Sequence, residues 1–235
     1  IATMDADDIS APERFARQIA FLEANPDYGW CGTNTKLFDE NGEWGIRQMP
    51  EVPGMKDYFR YSPYVHPSVM FRAELFDENH GYLSTEETLR CEDYELFMNL
   101  LQRGQKGYNL QELLFSYRET RESYQKRTTQ FRINEAKTRY RNYKKMGKLF
   151  PAGWIFVLRP VLACLVPAGI LGFIKRSEGI YEKKMEEGGL QTGIMEVIRG
   201  ERNGRIGKPA AAIQEFVTKE SGALVRAERF HGNIR

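Results

Sequence analysis

Asp5, Ala6, Asp7 and Asp8 form an acidic knot between an apolar run (Ile1, Ala2, Met4) and the start of a helical pattern. Carboxylates one residue apart at the end of a strand can both reach a hard cation that prefers oxygen ligands, and Mg²⁺ or Mn²⁺ normally sits between such ligands and a substrate phosphate. The expected ligand is therefore a nucleoside diphosphate group. Aspartates also gather in turns and at helix N-termini, where they accept backbone N–H bonds, so this short pattern does not decide the matter alone. A second acidic pair, Glu92-Asp93, opens another apolar-periodic stretch. A carboxylate there either caps a helix or stands ready to take a proton.

Such residues need a frame to bring them together. Residues 1–4 read as a strand ending at the acidic knot. Ser10 and Glu13 stand at capping-box spacing with Pro12 in the first turn, and Phe15, Ile19 and Leu22 recur on one face. This predicts a helix over 11–24 packed through that face. Strand-like runs at 28–33 and 35–38 lead to a turn at Asn41-Gly42, a hairpin signal. Residues 50–63, rich in proline and aromatics, look like a loop over the site. Residues 65–72 read as a strand, 93–103 as a helix with Leu96, Phe97, Leu100 and Leu101 inward, and 108–117 as a last strand. The alternation predicts an α/β layer structure.

The ordered stretches MDADDISAPERFARQIAFLEANP, HPSVMFRAELF and EDYELFMNLLQRG, closed by Tyr117-Arg118, resemble the family 2 glycosyltransferases. These are inverting enzymes of GT-A fold, with a Rossmann-like layer structure, that take sugars from nucleotide-sugar donors. The resemblance covers residues 1–118. It implies that Asp7 holds the Mg²⁺ or Mn²⁺ ion, that Asp5 binds the metal through water or contacts the donor ribose, and that Asp93 is the general base. Glu92 would orient the acceptor or Asp93. Asp8 is the least defined of the knot and would hold the following helix start. His66, expected on a short strand, would contact diphosphate or acceptor; a satisfied core histidine is the competing assignment. Arg118 would face the diphosphate, where a guanidinium fork suits phosphate oxygens. Trp44, beside the predicted turn, is the tryptophan to test for acceptor contact. The acceptor itself, lipid-linked or polysaccharide, follows from the resemblance alone.

Bulk properties set limits on this picture. With 235 residues and 41% hydrophobic content the chain can bury one domain core plus a helical appendage. Cys31, Cys91 and Cys164 are odd in number and widely spaced, which fits reduced thiols of a cytoplasmic compartment. In the resembled family a half that holds the nucleobase precedes the acidic strand, so this chain is expected to be the C-terminal part of such a domain.

Beyond Arg118 the composition changes. Residues 118–148 carry eleven Lys or Arg against three Glu, and predict a basic helix. Residues 150–174 are apolar apart from Arg159 and broken by Pro151, Pro160 and Pro167. An apolar stretch next to a basic one suggests an anionic membrane surface, with the chain peripheral or monotopic at the inner face of the cell membrane. Arg159 and the prolines argue against a full span and for a helix pair lying in the interface. A buried helical hairpin or an oligomer contact is the alternative. Residues 176–235 are expected to be a polar tail with a helix near 210–227. Two other functions remain open at this level. A nucleotidyltransferase would use the same carboxylates, but the glycine-rich basic phosphate loop it calls for is missing. A non-catalytic scaffold or nucleic-acid binder would use the basic helix, with Tyr124, Phe131, Tyr140 and Tyr143 among its charges. Those aromatics more simply form a packing face, so no nucleic acid is expected.

Overall fold

The computed structural model describes residues 1–76, 81–120, 128–166 and 168–186. They form one compact unit; the predicted helix near 210–227 lies outside the described residues. In chain order the elements are β1 (Ile9–Ser10), α1 (Arg14–Ala24), β2 (Trp30–Asp39), β3 (Gly42–Arg47), α2 (Met55–Arg60), β4 (Met70–Phe71), α3 (Glu92–Gln102), β5 (Gly107–Arg118), α4 (Thr129–Lys145), α5 (Trp154–Leu162) and α6 (Ala168–Glu186). The result is a mixed α/β layer structure.

The sheet runs β1-β5-β2-β3, with β4 pairing the start of β2. Strand β2 is its axis, parallel to β5 and antiparallel to β3 and β4. The hairpin predicted at Asn41-Gly42 forms, with Asp39 opposite Gly42 and the left-handed φ of +106° at Gly42 that glycine adopts without strain. Residues 1–3 run beside β4: Ile1 and Phe71 exchange backbone hydrogen bonds at 2.8 Å, and Thr3 N–H donates to Val69 O at 3.0 Å. The predicted first strand is thus an extended edge tied at single points.

The core lies between this sheet and α3. Trp30, Tyr64, Phe71 and Phe97 pack ring against ring, Tyr64 and Phe97 at 4.6 Å between centroids. Leu96, Phe97 and Leu100 are buried as their spacing predicts, each stabilising the fold by roughly 1.5–3 kcal/mol.

Residues 50–63, expected as a loop, hold the short helix α2, whose start is fixed by Gly54 N–H donating to Asp57 Oδ2. Further expectations fail, each for a physical reason. The buried face of α1 is Arg14, Gln18 and Leu22, while Phe15 and Ile19 stay 47% exposed. That face lies over backbone carbonyls of Thr3, Cys31 and Ser68, which need donors rather than methyl groups. The capping box does not form, because Ser10 is spent in β1 opposite Phe115 and Glu13 takes the N-cap without a side-chain bond. Residues 65–72 do not make a continuous strand: Pro67 has no N–H to give, and His66–Ser68 close a 3₁₀ turn instead.

The helices after β5 pack onto this body. The inner face of α4 is polar, built of Asn134, Thr138, Arg139 and Asn142 with only Tyr143 among the aromatics. Arg139 is buried there, donating to Phe59 O at 2.6 Å and to the Tyr143 hydroxyl at 2.9 Å, paired with Glu135 at 2.9 Å. Helix α5 buries Val157 and Pro160, stacks Phe156 flat on Phe59 at 5.3 Å, and uses Arg159 to donate to Arg60 O. The charge inside the apolar run thus caps a neighbouring helix. Helix α6 turns away from α5 and packs over β3. It continues past Lys175 to Glu186, into the stretch expected to be tail. Among the described residues no single helix is long and apolar enough to cross a membrane.

Candidate active site

The acidic knot is positioned from beneath by α1. The Arg14 guanidinium donates to Thr3 O at 2.9 Å and to Gln18 Oε1 at 3.0 Å, and the Gln18 amide donates to Cys31 O and Ser68 O. One helix face therefore ties the edge strand, β2 and the His66 turn together. Beyond Thr3 the chain turns back, Asp8 N–H donating to Asp5 O at 3.3 Å. Asp5 and Asp7 are left exposed on this turn. Asp8 points inward, 7% exposed, and its Oδ1 accepts the Arg118 backbone N–H at 2.8 Å. Asp8 thus anchors the knot to the end of β5 rather than holding the start of α1. Burial pushes its carboxyl up to about 6, partly opposed by the Arg118 hydrogen bond and reinforced by Asp5 and Asp7.

His66 sits on the 3₁₀ turn, fixed by Thr3, whose hydroxyl lies 2.5 Å from His66 O and 2.9 Å from Val69 O. Its Nε2 shares a 2.6 Å hydrogen bond with the Tyr82 hydroxyl, and its ring stands edge-on to Phe97. Burial lowers the imidazole below its ordinary value, while Asp93 and, more weakly, Asp5 pull it upward. Tyr82 is pushed up to about 12 by burial and then by the same two carboxylates. Asp5 and Asp93, far apart in sequence, therefore act on one His-Tyr pair.

Glu92 and Asp93 are half-buried in the first turn of α3, at the positive end of its dipole. The turn delivering them is tightly specified. Thr88 is fully buried, accepting from Thr85 N–H at 2.9 Å, donating to Leu83 O and offering its own carbonyl to Cys91 N–H. Arg90 adopts a φ of +70°, a left-handed conformation uncommon outside glycine and a form of local strain frequent at functional sites. The Arg118 side chain is exposed at the end of β5, beside the knot that its backbone holds.

Asp5, Asp8, His66, Asp93 and Arg118 are thus linked through one set of contacts and fields, with Asp7 on the same turn and Glu92 beside Asp93. Gly81-Tyr82 stands in the same order of segments between His66 and Glu92, but residue type and spacing assign Tyr82 no role, because an aromatic in a loop carries no periodic signal. Arg14 and Gln18 were missed for the reason given above. Trp44 is not an open acceptor platform: its indole N–H donates to Glu119 O at 3.1 Å and the Arg176 guanidinium lies 4.3 Å over its ring.

Among the described residues no three His, Cys, Asp or Glu side chains close around a point that could hold a metal. Asp5 and Asp7 instead offer two exposed carboxylates one residue apart. That donor set suits a Mg²⁺ or Mn²⁺ ion that keeps water and substrate phosphate in its shell. It does not suit an all-protein cage.

No family model matches the chain. It is 32% identical over 184 residues to EpsE of Bacillus subtilis (strain 168), which bears the name of a glycosyltransferase. It is 28% identical over 188 residues to the amylovoran biosynthesis glycosyltransferase AmsE of Erwinia amylovora. Both alignments cover 78% of this chain and 66% of the relative, so the chain spans just under two thirds of their length. A third relative, the UDP-Gal:alpha-D-GlcNAc-diphosphoundecaprenol beta-1,3-galactosyltransferase of Escherichia coli, is 28% identical over 176 residues, covering 72% of this chain and 62% of that protein. The aligned lengths exceed the 118 residues of the first motif set, so the likeness extends into the helices after β5. By these relationships the chain is a glycosyltransferase homologue.

Proposed function

We propose that this chain carries the acidic face of a family 2, GT-A-type glycosyltransferase that moves a sugar from a nucleotide-sugar donor to a lipid-linked or polysaccharide acceptor, with inversion, on the cytoplasmic side of the membrane. The observation that carries this reading is geometric: Thr3 at the head of the acidic knot is bonded to the His66 turn, Asp8 accepts from Arg118 N–H, and His66 is bonded to Tyr82, with Asp93 and Asp5 both biasing that imidazole. The likeness to glycosyltransferases named for polysaccharide and lipid-linked synthesis supports the same conclusion.

Asp7 and Asp5 are the residues that would hold Mg²⁺ or Mn²⁺, which when bound offsets the charge developing on a departing diphosphate. The protein's own groups divide the remaining work. Asp93 takes the proton of the acceptor hydroxyl as that oxygen bonds to the anomeric carbon and the bond from that carbon to the diphosphate oxygen breaks. A single displacement of this kind inverts the anomeric configuration. Glu92 orients the acceptor or Asp93. Neutral His66, hydrogen-bonded to Tyr82, offers a hydrogen bond without adding charge beside Asp93. Arg118 supplies a planar fork for phosphate oxygens.

The test is nucleoside diphosphate release by the complete gene product, with Mn²⁺ or Mg²⁺, over a panel of nucleotide sugars. Asp7→Asn is expected to abolish release, and Asp93→Asn to suppress transfer while sparing donor binding. Full activity in both variants would overturn the assignment.

A further inference from the structure

Helix α5 buries one side and leaves the other exposed, with aromatic contacts only at its Trp154 edge among the described residues. Trp154, Ile155, Leu158, Val161 and Leu162 follow one another at helical spacing on the outer side, opposite buried Val157 and Pro160. Ile155 is 69% exposed and Leu162 59%, and the ridge continues into Leu165 at 82%. Scattered single apolar residues are ordinary on a protein surface; a continuous ridge of this kind marks a contact surface.

Beside the ridge lies a hollow of about 640 Å³ on α4, lined by Lys137, Tyr140, Arg141, Lys144 and Lys145, with Glu87 across from them. Glu87 engages Lys137 at 3.8 Å and Arg141 at 3.4 Å, and Arg141 also reaches Glu95 at 3.2 Å. Among the described residues no carboxylate pairs with Lys144 or Lys145, and Lys144 lies over the Tyr140 ring at 5.8 Å. Tyr140 is in turn 5.5 Å from Trp154, and Trp154 is 6.5 Å from Phe150. Cationic hollow and apolar ridge therefore share an aromatic edge.

From this we propose that the outer face of α4 and α5 is a docking surface for an anionic lipid leaflet, with the α5 ridge entering the acyl boundary and headgroup phosphates seated against Lys144 and Lys145. A surface of that chemistry satisfies both halves at once. Apolar side chains leave water, aromatic rings lie at headgroup level, and basic residues meet lipid phosphate. A second copy of the chain would bury the ridge but bring its own unpaired lysines toward these. The docking surface goes beyond the transferase chemistry and is read without donor or acceptor.

The experiment is vesicle sedimentation of the full chain. Neutral phosphatidylcholine vesicles are compared with vesicles containing phosphatidylglycerol, at low and high salt, with quenching of Trp154 fluorescence by brominated acyl chains. Binding is expected on the anionic vesicles and weakened by salt. Each basic residue at such a surface raises affinity about fivefold, so Lys144→Gln with Lys145→Gln is expected to weaken it about 25-fold. Ile155→Asp and Leu162→Asp are expected to abolish quenching. Both sets lie on the surface and should leave the melting temperature unchanged, which separates lost docking from lost folding. Equal binding to neutral and anionic vesicles would overturn the proposal. So would a dimer dispersed by Leu162→Asp without vesicle binding, or a hollow that takes an oligonucleotide in preference to vesicles.

Discussion

Replacing Asp8 with asparagine should make the protein more stable near neutral pH. The Asp8 carboxyl is raised from 3.8 to about 6 in the folded chain because burial disfavours its charge. The folded protein thus holds this proton to higher pH than the unfolded chain does. Stability from this group is full below about pH 4, is lost as pH rises to about 6, and changes no further above that. A rise of about two units corresponds to roughly 3 kcal/mol, an upper bound because exposed Asp5 and Asp7 bring solvent close. Asparagine keeps an oxygen for the Arg118 N–H but puts an amide where Asp8 Oδ2 has no hydrogen-bond partner among the described residues, which costs about 1–2 kcal/mol. The net expected gain at pH 7 is about 1–2 kcal/mol, or about 3–6 °C in melting temperature for a chain of this size. Urea unfolding of both proteins in EDTA, from pH 4 to pH 7, gives the difference curve that isolates this one group. A variant less stable than the parent at pH 7, or a stability difference that does not rise between pH 4 and 6, would refute a raised Asp8 carboxyl.

Other perturbations read different parts of the structure. Arg139→Met removes a buried guanidinium that serves Glu135, Phe59 O and Tyr143, and should cost about 3–5 kcal/mol in the urea midpoint; a loss under 1 kcal/mol would mean that the polar face of α4 is not a structural hub. Gly45→Ala places a methyl 2.9 Å from the Gly179 carbonyl carbon, so α6 should be displaced from β3 at a cost of about 1–3 kcal/mol, visible as faster amide exchange in β3. Tyr82→Phe removes the hydroxyl bound to His66 and should lower kcat more than it raises the donor KM, with the melting temperature held. Trp44→Phe should leave the acceptor KM unchanged, since the indole is taken up by Glu119 and Arg176.

What the sequence disclosed depended on whether a signal was local. The inner face of α3 could be read because Leu96, Phe97 and Leu100 meet an apolar sheet, so spacing and burial agree. The inner face of α1 could not, because what it meets is a row of carbonyls and the useful residues are Arg14 and Gln18. Hairpin chemistry at Gly42 is carried by two neighbours in sequence, whereas the docking of α6 depends on Gly179 approaching Gly45 from across the chain. The same division applies to the site. Asp5, Asp7, His66, Glu92, Asp93 and Arg118 are candidates that the order of their motifs singles out. The bond from Arg118 N–H to Asp8 spans 110 positions, and Tyr82 meets His66 through a loop, so neither contact left a trace in composition or period.

The central claim is that two acidic stretches, one near residue 5 and one near residue 93, face the same imidazole. Titration of the His66 ring by NMR, in the parent protein and in Asp5→Asn and Asp93→Asn, tests it without substrate, metal or turnover. Both carboxylates favour the imidazolium, so removing either should lower the His66 pKa further, with the larger drop for Asp93. An unchanged His66 titration in both variants would contradict the account.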